Sequence, residues 1–204
     1  ATTEIYTLSL HRRSSDLDQK TLLKIARNAV ETYVATGQTP KVANPSPALQ
    51  NHLGSFVTLK ENGDLRGCIG RFEPDVPLHE VVTQMAIAAA TEDTRFAPVR
   101  KEEFPLIRYE ISVLSPLKKV PNADGIIAGT HGVQVRKGFR GGVFLPQVAT
   151  EHHLDKEAFL SLLCTEKAGL PPNCWKDPGT DLYVFTAQVF SEEELEGNQT
   201  VNGE

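Results

Sequence analysis

Three cysteines, one tryptophan and one methionine are present in 204 residues. An odd cysteine count with no paired-ligand spacing argues against both a disulfide framework and a zinc knuckle. It supplies no iron–sulfur set either, and no facial-triad spacing is present, so neither a metal nor another cofactor is expected. No apolar run approaches the roughly 18 residues that span a bilayer, and no charged-then-apolar leader occurs. A cytoplasmic protein with no membrane partner is therefore expected. Positive charge is also short, with 21 Lys and Arg against 26 Asp and Glu and a formal net charge of −5. That balance, with only 7 % aromatic residues, argues against nucleic-acid binding, which needs a basic surface and stacking platforms. The local basic groups Lys118-Lys119 and Arg136-Lys137 with Arg140 read as a protected strand edge.

What is present is an ordinary globular composition, 40 % hydrophobic and 23 % charged, long enough for one large domain or two small intimate ones. Residues 1–15 are polar and read as an extended arm, in which Ile5, Tyr6, Leu8 and Leu10 could add a short strand. Ser15-Asp16-Leu17-Asp18 resembles a capping box. From there Leu22, Leu23, Ala26, Ala29, Val30 and Tyr33 recur at helical spacing until Gly37. Asn62-Gly63 between alternating apolar runs predicts a β-hairpin, Leu78 to Ala90 a helix, and Tyr109 to Leu114 a strand. The same order occurs again: a hairpin around Lys137-Gly138, a helix over Asp155 to Ala168, a strand over Leu182 to Phe190. A shift of about 75 residues aligns the elements, so residues 54–115 and 131–190 read as duplicated hairpin-helix-strand units. The fold class expected is α+β, mostly antiparallel sheet with helices on one face, forming two intimate subdomains of one domain over residues 16–193. The tail from Ser191, with Glu192, Glu193, Glu194 and Glu196, reads as fraying, and residues 194–204 as an acidic tail beyond the domain.

The segment richest in chemistry is Leu65-Arg66-Gly67-Cys68-Ile69-Gly70. On a regular strand Leu65, Gly67 and Ile69 share one face, and Arg66, Cys68 and Gly70 the other. Cys68 would then lie beside a guanidinium that favours the thiolate, the reactive form of cysteine. Gly67 and Gly70 would leave room for a ligand or another backbone. The plainer reading makes Cys68 a small buried hydrophobe.

This hexapeptide, with Gly54–Leu59, Asp93–Pro98, Glu110–Leu114, Leu145–Ala149 and Cys164–Leu170, resembles the AMMECR family (Alport syndrome, midface hypoplasia and elliptocytosis region proteins), whose defining motif is LRGCIG. The resemblance runs from about Leu17 to about Glu193, with Leu154 standing where many prokaryotic members have tryptophan. It implies two α/β subdomains with the hexapeptide near their junction, and no settled activity. In prokaryotes it further implies association with a Memo-like protein, similar to extradiol dioxygenases, and a radical S-adenosylmethionine protein, in the AmmeMemoRadiSam system.

Two functions are expected on these grounds. One is an enzyme or enzyme subunit with Cys68 as nucleophile, handling a small molecule, nucleobase or peptide. The other is a non-catalytic module that binds a ligand or protein at the LRGCIG cleft. Arg66, Gly67 and Gly70 are substrate-binding candidates in either. Asp93 and Arg95 could clamp an anionic group, the alternative being local scaffolding with Arg95 on the last helix carbonyls. Gln147, at the corresponding place in the second repeat, could approach Cys68 if the repeats face one another, the alternative being a turn residue bonded to nearby backbone. His52, His79, His131, His152 and His153 are available for a Cys–His pair, but none lies in a motif block.

Overall fold

The computed structural model describes residues 3–195, with side chains from residue 17 onward. In chain order its elements are helix α1 (Thr3–Thr36), strands β1 (Ser55–Glu61) and β2 (Asp64–Arg71), helix α2 (Leu78–Thr91), strands β3 (Ile107–Leu114), β4 (Lys118–Val120), β5 (Gly132–Lys137) and β6 (Arg140–Phe144), short helices α3 (Gln147–Glu151) and α4 (Lys156–Leu162), and strands β7 (Asp181–Phe185) and β8 (Ala187–Ser191). This is an α+β protein with two antiparallel four-stranded sheets, ordered β2-β1-β3-β8 and β4-β7-β5-β6. The chain divides into two compact units, one of residues up to Val113 together with those from Gln188, the other Leu114–Ala187. No helix among the described residues is long and apolar enough to cross a membrane.

In the first unit the expected arm is helical from Thr3. Neither glycine nor proline interrupts residues 3–36, so a helix once nucleated extends through them and Ser15 is internal rather than a cap. The stop falls at Gly37, whose φ of +74° closes the helix with its N–H on the Tyr33 carbonyl. Leu22, Leu23, Ala26, Ala29 and Val30 are buried against α2 and the sheet. Asn62 and Gly63 take φ of +53° and +88°, as a two-residue hairpin turn requires. Val57, Leu59, Tyr109 and Ile111 face the core beneath α2, whose buried Ala86, Ala89 and Ala90 let sheet and helix approach closely.

The chain's end is not free up to Leu195, contrary to the fraying expected there. Glu192 accepts from Arg27 Nε and Nη2 at 2.9 and 2.7 Å and from the Tyr109 N–H at 3.1 Å, and Leu195 packs on the core. A bidentate carboxylate–guanidinium pair of low exposure outweighs the acidic composition. Residues 196–204 lie outside the described residues.

In the second unit β5, β6 and β7 enclose a core of Val133, Val135, Phe144, Phe159, Leu160, Leu163 and Leu182. Asp155 caps α4 by accepting from the Ala158 N–H at 2.8 Å, and the helix ends in a wider π turn, Leu163–Lys167. Cys164 and Cys174 are joined in a disulfide, their Cα atoms 6.0 Å apart. This corrects the expectation of unpaired cysteines. The chain reverses at Gly169, with φ of +61°, and runs through Pro171-Pro172 so that Cys174 returns to the helix it left.

Candidate functional site

β2 lies at the edge of its sheet, with β1 on one side only. Its register with β1 is regular from Arg71 to Gly67, then slips: Gly67 pairs with Leu59 and Leu65 with Lys60, which leaves Arg66 as an extra, unpaired residue. This bulge overturns the strict alternation expected of the hexapeptide. Leu65 lies on the face of Lys60 and is 43 % exposed, whereas Gly67 turns to the core. Arg66 reaches away to Glu103, Nε to Oε1 at 2.7 Å, with its side chain only 13 % exposed. Burial opposes ionisation of Glu103, but the Arg66 guanidinium and the Arg100 N–H together hold its carboxyl below the usual value.

What lies over the two glycines leaves no room for a side chain at either. A Cβ on Gly67 would stand 2.2 Å from the Ala89 carbonyl oxygen of α2, and one on Gly70 would stand 2.2 Å from the Phe56 ring. Ile69, between them, packs on the core.

Cys68 is held on three sides. Its N–H donates to Asp93 Oδ2 at 2.9 Å, its carbonyl accepts from Arg95 Nη2 at 3.3 Å, and its sulfur receives the Thr58 hydroxyl at 3.2 Å from the facing position on β1. Asp93 and Arg95 are themselves a bidentate pair, Arg95 Nε to Oδ1 at 2.9 Å and Nη2 to Oδ2 at 2.7 Å. Together they give the outward N–H and C=O of an edge residue the acceptor and donor that a further strand would have given. Neither sequence expectation for Arg95 described this, since it binds its neighbour and the strand rather than the helix end. The Asp93 side chain is 5 % exposed and that of Arg95 55 %. The Arg95 guanidinium beside it holds the Asp93 carboxyl well below the usual carboxylate range, against the effect of burial.

The cation that bears on the thiol is therefore Arg95, not Arg66. Burial pushes the Cys68 thiol up, and the Thr58 hydrogen bond and Arg95 only partly offset it. The guanidinium expected beside Cys68 on the strand face is thus not that of Arg66, which pairs with Glu103 instead. Among the described residues, the groups that bear on it are Thr58, Arg95, Asp93 and Glu110, with no histidine. No cluster of three or more metal-binding side chains occurs among them. Gln147 begins α3, in the other unit from Cys68. The contacts that sequence reasoning missed are Thr58 and Glu103; a hairpin register drawn across Asn62-Gly63 would have placed Thr58 within one position of Cys68.

A free thiol on a sheet edge, held through its backbone by an acid–base pair from the loop after a helix, defines the site of an α+β domain, and comparison names the group. The chain belongs to the AMMECR1 family, whose model matches residues 23–190. It is 46 % identical over 185 residues to protein MK0488 of Methanopyrus kandleri, an alignment covering 86 % of this chain and 89 % of that one. Protein PF1979 of Pyrococcus furiosus is 42 % identical, with 84 % and 87 % covered. The crystal structure of the uncharacterized protein PH0010 from Pyrococcus horikoshii superposes with a TM-score of 0.77 at 41 % identity, covering 85 % of this chain and 90 % of that one.

Proposed function

We propose that the protein is a non-catalytic binding module that presents the Cys68 edge of β2, with the Arg95 guanidinium as its polar contact, to a small ligand or a protein partner. The observation that carries this reading is the state of Cys68: burial raises its thiol, the carboxylates of Asp93 and Glu110 add to that rise, and its backbone is locked by Asp93 and Arg95. A nucleophile needs the opposite of each. Arg95 supports the binding role because two of its nitrogens are fixed while Nη1 bonds no described group and the side chain remains half exposed. A guanidinium preorganised in this way suits a carboxylate, a phosphate or a carbonyl edge. A Memo-like or radical S-adenosylmethionine protein is the partner this reading would test first. This reading takes the protein to be cytoplasmic.

The experiment is native mass spectrometry of the protein taken from its own host, as wild type and as Cys68→Ser, Arg95→Ala and Arg95→Lys. A bound species retained by Cys68→Ser, lost with Arg95→Ala and partly recovered with Arg95→Lys is the result expected. Alkylation of Cys68 should show a midpoint above the free value of about 8.5. A covalent adduct on Cys68, or a midpoint clearly below about 8, overturns the binding reading in favour of an enzyme.

A further inference from the structure

Away from the hexapeptide, residues 39–42 cross between α1 and α2 and border a groove of two adjoining lobes. One has a cavity volume of about 420 Å³ and is lined by Lys41, His79, Thr83 and Gln84 among others. The second, of about 260 Å³, is lined on its far side by Lys24, Ile25 and Asn28, and Pro40, Lys41, Val42 and Thr83 border both. The spacing of Thr21, Lys24, Ile25 and Asn28 puts one helical stripe of α1 along the groove, and His79, Thr83 and Gln84 do the same for α2.

Two features of this groove have no role in holding the fold. Lys24 and Lys41 make no ion pair or hydrogen bond among the described residues, and Glu80 is the single acid in the lining. The Nδ1 atom of His79 is buried without a hydrogen-bond partner. The nearby Thr83 hydroxyl spends its hydrogen on the His79 carbonyl at 2.8 Å, so it has none to donate to the ring. Between the polar groups, Ile25, Pro40 and Val42 offer an apolar floor.

We propose that this groove binds a small organic anion, a carboxylate or phosphate monoester on an apolar body, with Lys24 and Lys41 meeting the charge and the His79 imidazole lining the groove beside them. The donors set the chemistry: two unpaired ammonium groups select an anion, and the floor between them selects against a bare inorganic ion. This site is separate from the Cys68 edge and does not depend on the function proposed for it.

The test is a two-dimensional amide and imidazole NMR titration of the full chain at neutral pH. The probes are phenyl phosphate, phenylacetate and the neutral phenylacetamide. Saturable shifts at Lys41, His79 and Thr83 with one or both anions are expected, and the stronger of the two identifies the headgroup. Lys41→Ala should weaken binding about tenfold and the Lys24→Ala/Lys41→Ala double variant more, with unchanged melting because both lysines are exposed. Equal binding of phenylacetamide, undiminished binding by the double variant, or no shift at these residues at millimolar probe overturns the proposal.

Discussion

The two units solve one packing problem with different fastenings. In each, a hairpin pairs through its first strand with a later antiparallel strand, giving β2-β1-β3 in one and β6-β5-β7 in the other. In each, a helical segment presses so closely on the second hairpin strand that only glycine fits. Gly67 lies under the Ala89 carbonyl, and a Cβ on Gly142 would stand 2.5 Å from Lys167 Cβ and 2.7 Å from its backbone. The same shift of about 75 residues that aligns the elements carries Gly67 onto Gly142. The loop after the helix is where the units part. The first unit ties its loop to the strand with the Asp93–Arg95 pair, whereas the second closes its own on the helix with the Cys164–Cys174 disulfide. The second also has the smaller core and gains most from a covalent staple. Where the first unit sets Thr58 against Cys68, the second sets Gln134 against Val143. The fold thus calls for the glycine twice, but for the thiol once.

The largest effect should come from the glycines. Gly67→Ala must displace a helix backbone and should cost on the order of 3 kcal/mol or more, with Gly142→Ala of similar size or somewhat less. Urea denaturation of both variants measures this; a tolerated Gly142→Ala beside a crippled Gly67 variant would end the equivalence of the two contacts. Next comes the disulfide. Cys174→Ser should cost about 2–4 kcal/mol, and hydrogen exchange should show the loss of protection confined to residues 114–187. Equal loss in the first unit would show that the two do not open separately.

Much of this comparison was legible in the sequence, because the signals involved are local. Asn62-Gly63, the helical period of α2 and the repeated order of hairpin, helix and strand each depend on neighbours within a few residues. The rest depends on distant partners. Nothing near Arg66 signals a bulge, since the slip comes from matching β2 to β1 across the whole hairpin while Glu103 draws the guanidinium off the face. The Cys164–Cys174 bond needs the chain reversal at Gly169, and an odd cysteine count concealed a pair with one thiol left over. Asp93 and Arg95 were recognised as a pair of interest, but their target is the backbone of Cys68, which no side-chain pattern reveals. Glu192 looked like tail composition because Arg27 lies 165 residues away.

Third in size is the Asp93–Arg95 clamp, which sharpens the contrast between electrostatic and covalent fastening. Asp93→Asn keeps the shape but removes the charge, and should cost about 2 kcal/mol at neutral pH. Because the folded-state carboxyl is held below its unfolded value, its contribution is complete above the unfolded value of about 3.9 and is lost as pH falls towards the folded one. Wild type should therefore lose stability relative to Asp93→Asn on acidification below about pH 4, in paired denaturation curves. A difference between the two that does not change with pH would mean that the charge is not what binds the loop to Cys68.

The smallest effect concerns two arginines near the paired glycines, one directly before Gly67 and the other two residues before Gly142. Arg66 Nε donates to Glu103 at 2.7 Å from a nearly enclosed position, whereas Arg140 is exposed and Nη1 donates to the Gly169 carbonyl at 2.9 Å. Arg66→Ala should cost about 1 kcal/mol, because Glu103 loses its guanidinium but keeps the Arg100 N–H at 2.6 Å. Arg140→Ala should stay within about 0.5 kcal/mol, as exposed substitutions do. The pair separates structural from recognition roles for Arg66. If its removal leaves stability unchanged but abolishes retention of a species that Cys68→Ser retains, the guanidinium serves a ligand, and the bulge exists to deliver it. If stability falls and retention persists, the bulge exists to reach Glu103, and recognition at this edge rests with Arg95.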